Sequence, residues 1–220
     1  YDWNTINYAR QFYAGDNICY LTSDARGLSI LDSSVDVVVS FETIEHLYKE
    51  DIPRYLEEIK RVLKPDGIFI ISTTNKKAGD ISNGGESKQA ADGERGHHSE
   101  MYLHEFKNYL SGQFDRVEYY GQRMREGQKD IYESYDVENV ISDESEFFLA
   151  VLERPVKKQA DKQDSGKPRV LFAARYFYPL IGGAEHTANT FMNDLSENGY
   201  ICAAVCGGEP SASPQYSGRV

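Results

Sequence analysis

Cysteine is scarce in this sequence, with three residues in 220, at positions 19, 202 and 206. So few scattered thiols exclude a disulfide framework, and Cys202 and Cys206 lie in an apolar run without the partner ligands a zinc site needs; all three are expected to be buried thiols. Missing too is any apolar run of the roughly 18–20 residues a membrane helix requires, or a basic-then-apolar leader. A cytoplasmic protein with no membrane span is expected. Basic residues are outnumbered, 24 against 35 acidic for a net charge of −11, which argues against a general nucleic-acid or anionic-membrane binder. With 40% hydrophobic and 27% charged residues, the composition is that of a soluble protein of one domain, or of one domain and part of another. The sequence also lacks an initial Met. It begins within a helical pattern and ends just past a strand and a polar loop, so a fragment of a longer polypeptide is expected.

The chain alternates helical and strand patterns. Residues 1–13 have helical spacing through Ile6, Ala9, Arg10 and Tyr13. A short strand is expected at 18–21, then a polar loop to Ser34. Residues 35–41 carry apolar β-branched side chains on both alternating faces, the pattern of a parallel strand covered by helices on both sides. Ile52, Leu56, Ile59 and Val62/Leu63 recur at three- and four-residue intervals, with Pro53 in the first turn and Lys60/Arg61 toward the end, which predicts a helix over 51–63. Lys64-Pro65-Asp66-Gly67 then breaks it before a buried strand over 68–72, completing a βαβ unit with an expected right-handed crossover.

The next stretch, 75–96, is polar and Gly-rich and predicts a mobile loop or lid. A helix follows over 100–110. Strands at 117–120 and 147–152 are expected to form an antiparallel pair, joined by an acidic excursion over 126–146 predicted as disorder or a flap. Residues 156–167 read as a linker. Strand 169–174, a turn at Pro179/Gly182/Gly183, helix 184–198 and strand 201–206 then form a second βαβ unit.

Val35-Asp36-Val37-Val38-Val39-Ser40-Phe41-Glu42-Thr43-Ile44-Glu45-His46-Leu47, followed by Glu57-Glu58-Ile59-Lys60-Arg61-Val62-Leu63-Lys64-Pro65-Asp66-Gly67, resembles the class I S-adenosylmethionine-dependent methyltransferases, and within them a small-molecule and sugar-type branch. The resemblance spans about 1–155. It implies an α/β fold, an incomplete doubly wound, Rossmann-like sheet whose ligand lies at the carboxyl ends of parallel strands. It also implies that S-adenosylmethionine is the cofactor, with Asp24 accepting from the adenine amino group, Ala25 presenting its backbone N–H, and Ser40 and Phe41 lining the cavity beside Glu42.

Glu45 and His46 are implied as the catalytic pair that orients an acceptor hydroxyl, as general base or through a divalent ion; no residue is assigned as a metal ligand. An imidazole has the unperturbed pKa to take a hydroxyl proton near neutrality. From the residues alone, Asp24 also reads as a turn cap, Phe41 as core, and Glu45 as a helix start beside a hydrogen-bonded His46. His97, Glu100, Tyr102 and Glu105-Phe106 resemble a segment of methyltransferases found with cell-surface polysaccharide synthesis, which puts His97 on the acceptor side; a solvated helix start is the plain alternative.

Three departures accompany the likeness. A Gly-rich loop with its strand and helix is absent, the ribose-binding acid falls before Asp2, and Thr73-Thr74-Asn75 stands where Thr-Pro-Asn is usual. The fragment is therefore expected to be inactive. With those strands missing, the 35–41 strand has an unpaired edge, so either strand 18–21 is displaced or the trailing βαβ unit packs as a partial substitute.

Pro168-Arg169-Val170-Leu171-Phe172, then Tyr178-Pro179-Leu180-Ile181-Gly182-Gly183-Ala184-Glu185-His186, then Leu195-Ser196-Glu197-Asn198-Gly199-Tyr200 resembles the opening of a GT-B-type retaining glycosyltransferase. The likeness implies that Gly182 and Gly183 let backbone N–H groups approach a nucleotide-sugar diphosphate or an acceptor; the alternative is a plain turn. The expected organisation is a truncated methyltransferase domain over 1–155, a linker over 156–167 and the start of a glycosyltransferase domain over 168–220. The expected function is methyl transfer to a hydroxyl of a sugar or related small molecule, in a protein of surface-polysaccharide synthesis. Its expected partners are a small-molecule or glycan acceptor and a nucleotide sugar, and the alternative is a catalytically inert binding or structural remnant.

Overall fold

The described residues of this computed structural model are 3–13, 15–77, 97–124, 135–156, 167–174 and 183–206. Helix α1 (Trp3–Phe12) precedes β1 (Ile18–Thr22) and β2 (Val35–Ser40), followed by a single 3₁₀ turn at Ile44–His46, α2 (Ile52–Val62) and β3 (Leu63–Thr74). Then come α3 (Leu103–Leu110), β4 (Phe114–Met124), β5 (Tyr135–Glu138), β6 (Phe147–Pro155), β7 (Arg169–Ala174), α4 (Gly183–Glu197) and β8 (Ile201–Cys206). The lid expected over 75–96 falls outside the described residues from 78 onward. So do linker residues 157–166, Pro179, Gly182 and positions 125–134 of the acidic excursion.

All eight strands form one sheet in the order β1-β8-β7-β2-β3-β6-β4-β5. The run from β1 to β3 is parallel, and β6, β4 and β5 continue it by antiparallel pairing. Two units with separate sheets are therefore not what forms. The trailing pair β7 and β8 sits between β1 and β2, so β2 is flanked by β3 on one side and β7 on the other. This is the substitution expected from the unpaired edge: a buried β-branched strand leaves its N–H and C=O groups unsatisfied unless another strand pairs with it.

Helices cover both faces, as the apolar pattern of β2 requires. On one face α2 and α3 bury Ile52, Tyr55, Leu56, Ile59, Phe106 and Leu110 against Val38, Phe69, Ile71, Phe148 and Leu152. Each such side chain contributes about 1.5–3 kcal/mol on leaving water. On the other face α1 and α4 place Ile6, Ala9 and Met192 against Tyr20, Val39, Val170, Phe172 and Cys202. Residues 38 and 39 point to opposite faces, as the two-residue period dictates.

Three local expectations change. The Lys64–Gly67 turn is absorbed into β3, which pairs with β2 from Leu63 through a register shift; Gly67 permits this because a Cβ there would lie 2.9 Å from Leu63 Cδ2 and 3.1 Å from the Asp36 carbonyl oxygen. Residues 135–138 of the acidic excursion are a strand, not a flap, because β4 extends past β6 and its edge at 121–124 takes a partner. Cys19 is exposed while Cys202 is buried: Cys19 lies on the edge strand β1, where one alternating side faces solvent.

Candidate functional site

The strand order has a point of reversal. From β7 the chain passes through α4 to β8, toward β1; from β2 it passes through α2 in the other direction, to β3. In doubly wound sheets such a point, at the carboxyl ends of the strands, is where a crevice opens. Here it lies between β7 and β2, and it is spanned by Thr43, whose Oγ1 lies 3.0 Å from the Phe41 carbonyl and 3.2 Å from that of Ala173.

Residues 40–46 leave β2 at this point. Ser40 is fully buried, and its Oγ accepts a hydrogen bond from the buried Tyr55 hydroxyl at 2.7 Å. Phe41 is half-buried. Glu42 follows with φ 48°, a left-handed backbone that costs a non-glycine residue about 1 kcal/mol or more and accumulates beside functional sites. The Ser72 hydroxyl donates to Glu42 Oε1 at 2.6 Å and so holds that carboxylate at the end of β3.

The 3₁₀ turn then places Glu45 and His46. Glu45 has 0% exposure; its Oε2 accepts from Thr73 Oγ1 at 3.1 Å, while its Oε1 has no hydrogen-bond partner. Burial, and after it the neighbouring Glu42 charge, push the Glu45 carboxyl well above the ordinary carboxylate range. The Glu45 backbone carbonyl accepts N–H bonds from His98 and Ser99, both at 2.8 Å, and the Ser99 hydroxyl donates to the Leu47 carbonyl at 2.6 Å. These bonds draw in His97, whose ring centroid lies 4.6 Å from that of His46, edge to face. One ligand atom from each of Glu45, His46 and His97 lies within 4.8 Å of the other two, a grouping able to hold a metal ion.

Asp24 follows the carboxyl end of β1 on the same edge, three strand positions from β2. Its Oδ1 accepts from the Arg26 backbone N–H at 2.8 Å, and both oxygens take the Arg26 guanidinium at 2.8–3.2 Å. Those bonds hold its carboxyl below the usual range. Arg26 also reaches Asp51 at 2.8 Å, tying this turn to the start of α2.

Of the residues expected to hold the cofactor, Ala25 and Phe41 are half-buried, whereas the Ser40 hydroxyl is engaged by Tyr55 and the Asp24 carboxylate by Arg26. Asp24 and Ala25 follow β1, which β8 and β7 separate from β2, where Ser40 and Phe41 lie. A bond from Asp24 to adenine requires Arg26 to turn away. Gly183 is the first residue of α4, and Gly182 lies outside the described residues. Ser72, Thr73, Ser99 and Arg26 act in this region without having been singled out for it by the sequence pattern. Isolated hydroxyls and one loop arginine carry no spacing signal.

Among the described residues no helix is long and apolar enough to cross a membrane. The family described as "Methyltransferase domain" matches residues 1–71. A protein of Mycolicibacterium smegmatis described as a probable S-adenosylmethionine-dependent methyltransferase is 40% identical over 76 residues, 34% of this chain and 28% of that protein. A Mycobacterium tuberculosis protein of the same description is 36% identical over 76 residues, 34% of this chain and 26% of its own length. The matched stretch thus spans little more than a quarter of these relatives. Among solved structures, a SAM-dependent methyltransferase from Thermotoga maritima superposes with a TM-score of 0.49 at 16% identity, covering 61% of this chain and 63% of that one. Over its first 71 residues the chain is similar in sequence to methyltransferase domains.

Proposed function

We propose that this protein transfers a methyl group from S-adenosylmethionine to a hydroxyl of a sugar or related small molecule. The observation that carries the reading is the Glu45/His46/His97 group at the carboxyl end of β2, within and beside the stretch that matches the methyltransferase domain. The cofactor supplies an electrophilic methyl on a sulfonium, so no covalent enzyme intermediate is required. Ala25, Phe41, the backbone at Ser40 and, once parted from Arg26, Asp24 would hold it, with Glu42 and His97 toward the acceptor. Glu45 and His46 bind and orient the acceptor hydroxyl, and His46 accepts its proton. The work of the site is alignment and the exclusion of water.

Completion of the parallel sheet by β7 and β8 supports cofactor binding by this chain; inactivity of the fragment, expected from the missing Gly-rich loop, is the opposing outcome of the titration below. Residues 1–155 serve as the methyltransferase region and 156–167 as a linker. By their sequence likeness residues 168–220 derive from a glycosyltransferase of surface-polysaccharide synthesis that takes a nucleotide sugar, Gly182 and Gly183 being the residues offered to its phosphate, while β7 and β8 of this stretch complete the sheet here; the setting is cytoplasmic. Calorimetric titration with S-adenosylmethionine, then radiolabel transfer to monosaccharide acceptors, tests the central claim. Saturable micromolar binding is expected, with His46→Asn lowering kcat by 10²-fold or more; no binding at millimolar cofactor overturns it.

A further inference from the structure

We propose that the slot between β1 and β2 accepts β7, α4 and β8 from a second copy of this chain, so that the protein forms a strand-exchanged dimer when it folds at high concentration. The strand order puts the last two strands between the first two. β1 pairs only with β8, and β2 with β7 and β3, so β1 and β2 meet only through the trailing unit. Until it arrives, the edges it will occupy carry unpaired N–H and C=O groups, a template for strand addition. The pairing partners are also remote in the chain: Asp36 and Arg169 are 133 residues apart. Contacts of such separation form late, because loop closure must precede them. The slot therefore stands open while other chains compete for it.

A second copy reproduces what the trailing unit makes within one chain. The Cys202 N–H donates to the Asn17 carbonyl at 2.8 Å, the Thr43 hydroxyl lies 3.2 Å from the Ala173 carbonyl, and Phe172, Met192 and Ala204 pack with Ile6, Ala9 and Tyr20. All these partners belong to residues 6–43, so exchange keeps the contacts and changes only the tether. Val37 pairs with both Val170 and Ile68, and Ile68 with Glu153, so the ends of β6 and β7 stand at one level of the sheet. The gap between them is three strand spacings, about 14 Å, and residues 156–168 cross it. A tether of this length favours closure within one chain, with an effective concentration on the order of millimolar. Chains that fold near that concentration exchange, and the unfolding barrier then holds the dimer. Each crevice between β7 and β2 is in that dimer built from two chains. The inference rests on strand order and not on the methyl donor, so it stands or fails separately from the proposed reaction.

Refolding the 220-residue chain from guanidinium at about 10 µM and at about 1 mM, followed by size-exclusion chromatography with light scattering, tests it. Monomer is expected at the lower concentration and a discrete dimer at the higher, persisting on dilution. Ala203→Cys reports whether strands have been exchanged. Ala203 lies opposite the exposed Cys19 in the register of β1 and β8, and parallel neighbours about 4.8 Å apart are within disulfide reach. Oxidation should join positions 19 and 203 within the monomer but between chains in the dimer, which a non-reducing gel and peptide mapping distinguish. Deleting 157–166 leaves a tether that spans about 14 Å only when fully extended, and should make the dimer dominant even at about 10 µM. Far-UV circular dichroism confirms folding; should the shortened chain fail to fold, the parent and Ala203→Cys decide alone. A parent that stays monomeric or only aggregates at the higher concentration, a dimer whose disulfides all lie within chains, or a shortened chain that folds as a monomer overturns the proposal.

Discussion

The backbone N–H of Arg169 donates to Asp36 Oδ2 at 2.8 Å, while Asp36 Oδ1 accepts from Lys64 Nζ at 2.6 Å. One carboxylate thus joins the amino ends of β7, β2 and β3, as Thr43 joins β2 and β7 at the carboxyl ends. A hydrogen bond to a charged group contributes about 1.5–3 kcal/mol, and partial exposure of this one places it at the low end. Asp36→Ala is expected to lower stability by about 1–2 kcal/mol in urea unfolding. Amide protection should fall in 169–174 while that in β6 is unchanged. Equal loss of protection in both strands would show that Asp36 holds no particular strand.

The central strands were legible because their patterns are strong. Val35–Ser40 reads as a two-face buried strand, and Ile52, Leu56 and Ile59 read as one helix face; both form nearly as the spacing dictates. Insertion of β7 beside β2, with β8 beyond it, is one of the two outcomes that an unpaired edge allowed, and their slots in the strand order carry no local signal. Strand β5 escaped notice because Tyr-Asp-Val-Glu has a single aliphatic residue, and its pairing is decided by the overhang of β4. At the site, Glu45 and His46 announced themselves through a motif. Their association with His97 depends on two backbone bonds across some fifty residues, which no periodicity encodes.

Tyr55 and Ser40 offer a clean measure of buried polar pairing beneath the site. The Tyr55 hydroxyl donates to Ser40 Oγ at 2.7 Å, and both residues have 0% exposure. Burial pushes the Tyr55 phenol above its ordinary range, so it remains neutral and a donor at all pH values where the fold survives. Ser40→Ala strands the phenol and is expected to cost about 1–3 kcal/mol. Tyr55→Phe removes the larger partner's need and should cost about 1 kcal/mol. In a double-mutant cycle by chemical denaturation, the pair is expected to be less destabilising than the sum of the single changes; strict additivity would rule out the coupling.

Two buried or paired carboxyls should give stability opposite dependences on pH. The hydrogen bond from Arg61 is the leading cause that lowers the Glu58 pKa. Its contribution is present above the unfolded value of about 4.3 and is lost as pH falls through the folded value. Glu45 is raised instead, first by burial and then by Glu42. Its relative contribution is full below about 4.3 and is lost as pH rises toward the folded value, because ionisation within the fold is disfavoured. Thermal midpoints from pH 3 to 9 separate the two. Relative to the parent, Glu58→Gln should be destabilised near neutrality, with the difference closing toward pH 3. Glu45→Gln should gain progressively above pH 4 and level off once the folded Glu45 has ionised. A Glu45→Gln difference that is flat across this range would mean that Glu45 ionises in the fold as readily as in the unfolded chain, contrary to its burial beside Glu42.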